Sequence, residues 1–224
     1  MEFIMYDKKF EKCVCDYEGT EAKLYINNSN LYKIYIKDKG YSFLHLMALN
    51  DRQKYIENTV LPNGIIFDSN RIKGCSIKYF ENYKELLTIK DNNILDKVRL
   101  LKKTLINLKE ITDNYIYPRD LNINGILVFV SDIKIIDLDT HRTIINNKRD
   151  NELLKYVLQL YRNIFFEILY FDFDPIFSNF DIKSFLENKK INSKIIKLIS
   201  TDKINYSNFF DYINYIENEN KYCK

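Results

Sequence analysis

The sequence predicts an α+β chain in two lobes, a small β-rich lobe followed by a larger helical one. Three observations lead there. Short apolar runs broken by Gly, Asn and Pro fill the first third of the chain. From Asn93 onward the apolar residues recur at helical spacing. The helical part is interrupted once, by "YPRDLNINGILVFVSDIKIIDLDTHRT" (Tyr117 to Thr143), which reads as a hairpin with an aspartate on each side. With 224 residues, 46% hydrophobic and 15% aromatic, the chain suits one large domain or two closely packed lobes around a real core. The expected division is 1–80 for the β-rich lobe and 81–224 for the helical lobe, with the hinge near Tyr79 to Leu86.

Each element follows from its residues. "FEKCVCDY" predicts a strand from Phe10 to Tyr17, ended by Gly19. Within it Cys13 and Cys15 read as small apolar residues on one face, because no second pair or nearby histidine completes a tetrahedral metal site. "EAKLYI" and "LYKIYIKD" predict two strands joined at Asn27 to Asn30, so that the three form an antiparallel meander. "YSFLHLMAL" predicts a helix, apolar at Phe43, Leu44, Leu46, Met47 and Leu49. "LPNGIIFDSNRIKGCSIKYF" predicts two further strands, with turns at Pro62-Asn63-Gly64 and Asp68-Ser69-Asn70.

The helical lobe opens with a helix over Asn93 to Asn114, apolar at Ile94, Val98, Leu101, Leu105, Leu108 and Ile111 and capped by Asp91 or Asn92. The hairpin then turns at Ser131-Asp132. A second helix, Asn151 to Leu169, is apolar on nearly every side and belongs at the centre of a lobe. "DIKSFLENKKINSKIIKLIS" and "YSNFFDYINYIEN" predict short helices.

Composition narrows the partners. A net charge of +3 with scattered Lys and Arg offers no basic stripe, so no nucleic-acid partner is expected. No stretch is long and apolar enough to imply a membrane partner. The four cysteines and the quickly charged start, without a signal peptide, fit the cytoplasm.

The most specific signal is Arg119-Asp120-Leu121 in "PRDLNINGILV", followed after the hairpin by "IKIIDLD". This order resembles the protein-kinase-like superfamily, as an atypical, divergent bacterial-type kinase or a pseudokinase, over about Gly19 to Ile216. In that family a catalytic loop H-R-D-L-x-x-x-N precedes D-F-G. Here Pro118 stands at the histidine, and Asp137-Leu138-Asp139 stands for D-F-G. The resemblance implies a two-lobed protein-kinase-like fold that binds ATP with Mg²⁺ (or Mn²⁺) between its lobes.

It also implies roles for particular residues. Asp120, with Arg119 beside it, would orient or deprotonate the acceptor hydroxyl. Asp137, helped by Asp139, would hold the metal against the phosphates. Lys33, in mid-strand, would bind the phosphates as a point charge, with Lys37 on the same face as the alternative. Gly19, in "EGTEAKLY", falls where the family has its glycine-rich loop, and Asn122 at a phosphate-contacting position. Asp150 resembles the acid that anchors the catalytic loop, or is an ordinary helix cap.

The chain also departs from the pattern. The catalytic-loop Asn falls at Gly125, which has no side chain to ligate a metal, and the neighbouring Asn124 points elsewhere. "GYSFLHLMAL" has no acid to pair with the lysine; Leu44 or His45 falls near that position, and Glu57 is the candidate substitute. Asp139 to Asp150 is too short for a full activation loop. His141 reads as a surface or capping histidine. Two functions are therefore expected. One is phosphoryl transfer from ATP to a protein or small-molecule hydroxyl with a weakened metal site. The other is a pseudokinase that acts as a binding or scaffold module. A third reading is a small-molecule kinase of the aminoglycoside or choline type; "YFDFDPIF" (Tyr170 to Phe177) is the only candidate for its acid-rich acceptor pocket, and its alternation of acids and aromatics reads rather as a solvated loop edge.

Overall fold

The computed structural model describes residues 1–6, 10, 17–18, 21–27, 29–36, 42–140, 142–169, 187, 193 and 205–219. Strands β1 (Glu2–Met5), β2 (Tyr17–Glu18), β3 (Ala22–Asn27), β4 (Asn30–Tyr35), β5 (Gly64–Asp68) and β6 (Arg71–Lys78) form one sheet in the order β1-β5-β6-β4-β3-β2. β2, β3 and β4 make the expected meander. The parallel pairing of β1 with β5 was not anticipated. Its sequence signal is weak because Phe3 and Met5 remain exposed and only Ile4 turns toward the core. Phe10, the expected start of a strand, is helical, and 11–16 lie outside the described residues.

Helix α1 (Phe43–Gln53) runs past its expected end at Leu49. Its polar last turn is held by side-chain hydrogen bonds, not by an apolar stripe. Asn50 Nδ2 donates to the Pro62 carbonyl (3.0 Å). Gln53 donates to the carbonyls of Ile56 (2.8 Å) and Thr59 (3.1 Å) and accepts from the Leu61 amide (2.8 Å). Arg52 donates to the carbonyls of Asn114 and Asn146, each at 3.1 Å, and so ties α1 to the larger lobe.

In that lobe, α2 (Ile94–Asp113) is capped by Asn93, one residue beyond the expected caps: its Oδ1 accepts from the Asp96 amide at 3.0 Å. A short strand β7 (Lys84–Glu85) lies in the expected hinge segment and pairs with β9 (Ile126–Phe129). β9 also pairs with β10 (Asp132–Ile135), and β8 (Ile116–Tyr117) pairs with β11 (Ile144–Ile145). The hairpin turn is Val130-Ser131, one position before expectation. Val130 sits there at φ 54°, a conformation β-branched residues rarely adopt, so no turn rule points to it.

Helix α3 (Asn151–Leu169) is buried along Val157, Leu158, Tyr161, Phe165 and Phe166, as its all-round apolar pattern requires. Helix α4 (Tyr206–Glu219) closes the core, with the Tyr161 and Phe209 rings 4.9 Å apart and edge to face. The buried Tyr161 hydroxyl donates to the Leu101 carbonyl at 2.8 Å, which removes the cost of burying it. Leu49, Ile56 and Leu61, from α1 and the loop after it, belong to this same core. The architecture is two-lobed α+β. No helix among the described residues is long and apolar enough to cross a membrane. Apart from residues 187 and 193, both helical, the segment read as "DIKSFLENKKINSKIIKLIS" lies outside the described residues.

Candidate functional site

The hairpin register assembles the site. Ile126 pairs with Ile135, and the Ile136 amide donates to the Gly125 carbonyl at 2.9 Å. The loop before β9 and the loop after β10 therefore meet at one end of the hairpin. Leu121 and Ile123 anchor the first loop in the core, and Leu138 (2% exposed) anchors the second. Asp120 and Asp137 then line the same narrow crevice, together with Pro118, Gly125 and Thr140. Asp137 has φ 65°, a left-handed conformation that aspartate tolerates better than most residues.

Lys33 meets Asp137 from the sheet. It sits in mid-β4, paired with Leu24 on one side and Cys75 on the other. Its side chain is 13% exposed, and its Nζ donates to Asp137 Oδ1 and, at 3.1 Å, to Asp139 Oδ1. Asp139 Oδ2 accepts from the Tyr35 hydroxyl at 2.8 Å, and that hydroxyl lies 3.4 Å from Cys75 Sγ. Burial opposes the charge on Lys33, but the carboxylates of Asp139 and Asp137 outweigh it and hold the ammonium above its ordinary value. Burial pushes the Asp137 carboxyl up; Lys33 opposes this, while the like charges of Asp139 and Asp120 add to it. Burial and then Asp139 also raise the Tyr35 hydroxyl and the Cys75 thiol, so both stay neutral.

The other expected residues fall in varied places. Asn122 caps the turn Ile123–Gly125: its Oδ1 accepts from the amides of Asn124 (3.0 Å) and Gly125 (3.2 Å), so it stiffens the loop that carries Asp120. Arg119 lies over the Tyr156 ring, 5.5 Å from its centre, and shares a cavity of about 370 Å³ with Arg142, Ile144 and Tyr156. Asp150 caps α3, accepting from the amides of Glu152 (3.1 Å) and Leu153 (3.0 Å); its own amide donates to the Tyr117 hydroxyl at 2.9 Å. Glu57 is not the partner of Lys33. It is exposed in the loop after α1, with its amide bonded to Glu110. Gly19, Lys37, His141 and "YFDFDPIF" lie outside the described residues.

Sequence reasoning missed Arg142, whose Nη1 lies 2.7 Å from Asp120 Oδ2. Its only signal was an arginine in the charged turn after Asp137. It also missed the pairing of Tyr35 with Asp139.

A divalent cation has limited protein support here. Among the described residues no group of three His, Cys, Asp or Glu is arranged to hold one. Asp137 is 44% exposed and open to a cation, whereas the Asp139 side chain is 4% exposed. Mg²⁺ commonly accepts this, using one or two carboxylates, the phosphates of the nucleotide and water. Gly125 leaves room for a further ligand. A Cβ added there meets nothing nearer than the Ile136 carbonyl oxygen at 3.7 Å. Gly125→Asn should therefore fold normally and tighten Mn²⁺ binding in the presence of ATP on the order of tenfold. A calorimetric titration showing equal affinity in both proteins would mean that the side chain does not face the cation.

No protein-family model matches the chain, and no curated protein sequence matches it. Its structure is similar to that of the Cydia pomonella granulovirus kinase PK-1, with a TM-score of 0.59 at 10% identity, covering 86% of this chain and 89% of that one. At that identity the likeness shows a kinase-like fold and nothing finer.

Proposed function

We propose that this chain is a divergent, bacterial-type phosphotransferase of the protein-kinase-like kind. It would move the γ-phosphoryl group of ATP to the hydroxyl of a protein or small molecule in the cytoplasm. The observation that carries this reading is the meeting of three groups from three separate segments: Asp120 and Asp137 line one crevice, and Lys33 bonds to Asp137. Lys33 comes from the sheet, Asp137 follows the hairpin, and Asp120 precedes it. Phosphoryl transfer asks for little more than positioning and charge neutralisation, and these are the groups it requires.

Lys33 would hold the non-transferred phosphates. Asp137 would hold Mg²⁺ or Mn²⁺, which supplies charge neutralisation at the phosphates when bound. Asp120 would accept the proton of the acceptor hydroxyl, at the open edge of the crevice, where its side chain is 43% exposed. Arg142 now pairs with it, so the acceptor must displace or share that arginine. Asn122 would act through the loop and not by touching phosphate.

The second reading, a pseudokinase, is supported by Gly125 and by the occupied state of Asp120. One experiment separates the two. The purified chain is incubated with ATP labelled at the γ-phosphate, a divalent cation and a panel of protein and small-molecule hydroxyls, beside Asp120→Asn. Loss of a general base typically costs 10²–10⁴ in rate, so transfer should fall on the order of a thousandfold. Equal transfer by both proteins would remove Asp120 from the chemistry, and nucleotide binding with no transfer to any acceptor would favour the pseudokinase.

A further inference from the structure

Lys33 has two carboxylate partners, and their surroundings differ. Asp137 is 44% exposed, while the Asp139 side chain is 4% exposed with both oxygens engaged, by Lys33 (3.1 Å) and by the Tyr35 hydroxyl (2.8 Å). Lys33 and Tyr35 are two apart on β4, so both project from the same face of the sheet onto Asp139. A buried carboxylate is tolerated only when paired and hydrogen-bonded, and here each oxygen has its donor. Helix α1, by contrast, carries a single acid, Asp51, in its exposed last turn.

We propose that Asp139 is a positioning residue, the fixed counter-ion of Lys33, and not a metal ligand. Tyr35 orients its second oxygen, and Asp137 is left to the cation. The lysine is then set by a carboxylate on the segment just after the hairpin, two residues from Asp137, and its placement does not depend on α1. This rests on the phosphotransferase reading only where it concerns nucleotide; the pairing itself is tested without one.

The test compares wild type with Asp139→Asn, Tyr35→Phe, Asp137→Asn and Arg52→Ala. Lys33 acylation is followed by mass spectrometry at pH 8 in the nucleotide-free protein, and ATP affinity is measured with and without Mn²⁺. A lysine that loses its buried counter-ion loses proton affinity and becomes a better nucleophile. Asp139→Asn should therefore raise Lys33 acylation about tenfold, and Tyr35→Phe, which keeps the ion pair, by less. Arg52→Ala loosens α1 and should leave acylation unchanged. The ratio of ATP affinities with and without Mn²⁺ should survive in Asp139→Asn and collapse toward one in Asp137→Asn.

The proposal is overturned if acylation is unmoved in a folded Asp139→Asn. A rise in Arg52→Ala equal to that in Asp139→Asn also overturns it, as does loss of the Mn²⁺ ratio in Asp139→Asn. Should Asp139→Asn fail to fold, Asp137→Asn decides: with Asp139 as the fixed counter-ion its Lys33 acylation should stay near wild type, and a rise of about tenfold overturns the proposal. A wild-type chain that binds no nucleotide while its Lys33 follows the expected pattern would sink the phosphotransferase reading and leave the counter-ion standing.

Discussion

Asp137→Asn should abolish the part of nucleotide binding that depends on a divalent cation while leaving the fold intact. Asparagine is the informative replacement because it shares aspartate's tolerance of the left-handed backbone that Asp137 adopts at φ 65°. Alanine would add backbone strain to the loss of charge. Asparagine removes the negative charge and keeps the size and shape of the side chain. At a concentration about a hundredfold above its dissociation constant, ATP with Mg²⁺ should stabilise wild type by roughly 2.7 kcal/mol. For a chain of this length that raises the unfolding midpoint by roughly 5–10 °C. In Asp137→Asn the midpoint with ATP and Mg²⁺ should match that with ATP alone. The unliganded variant should melt no lower than wild type, because one of three crowded carboxylates is gone while Asp139 still holds Lys33. A full Mg²⁺-dependent shift in Asp137→Asn would place the cation elsewhere and remove the main support for the proposed function.

Some of this site could be read from the chain and some could not, for physical reasons. Arg119-Asp120-Leu121 and Asp137 stood out because chemistry at two loops flanking a hairpin leaves polar residues at fixed offsets from apolar strands. Lys33 stood out because a charge in the middle of "LYKIY" is conspicuous. Both signals are local; in the structure Asp120, Leu121 and Asp137 line one crevice and Lys33 bonds to Asp137. Asp139 was noticed as well, but its surroundings were not. Whether a carboxylate is open or buried depends on Tyr35 and Lys33, more than a hundred residues away in sequence. Arg142 was hidden for the same reason: nothing local distinguishes a solvated arginine from one that pairs with Asp120.

The fold shows the same division. Periodicity located the strands from Ala22 to Lys78 and the helices α2 and α3. It did not foresee the last turn of α1, which Asn50, Arg52 and Gln53 hold by hydrogen bonds, or the exposed β1. Arg52 and Asp139 also bear on one another. In a kinase-like fold whose helix supplied the lysine's acid, moving that helix would switch the site. Here α1 is tied to the carbonyls of Asn114 and Asn146, and the acid lies beyond the hairpin. Both features favour a site that stays assembled.

Gly74→Ala should be the most damaging small substitution near the site, although it touches no charge. Gly74 lies in β6 between Ile34 of β4 and Ile66 of β5, where the β5–β6 register shifts. A Cβ at Gly74 would come within 2.1 Å of the Lys33 carbonyl oxygen and 3.1 Å of its carbonyl carbon. Those are backbone atoms, so the clash cannot be relieved by turning a side chain; β4 itself must move. Overpacking of this kind costs about 1–3 kcal/mol, and a backbone obstacle puts Gly74→Ala near the upper figure. The midpoint should fall by roughly 6–12 °C. The displaced backbone is that of Lys33, so nucleotide binding should weaken even at temperatures where the variant is folded. Gly125→Ala is the control. Its Cβ meets only ordinary contacts, and its stability should stay within about 0.5 kcal/mol of wild type. If Gly74→Ala melts like Gly125→Ala and binds ATP like wild type, then β4 has slack at Lys33. The rigidity that this reading assigns to the strand, and through it to the placement of the lysine, would then be wrong.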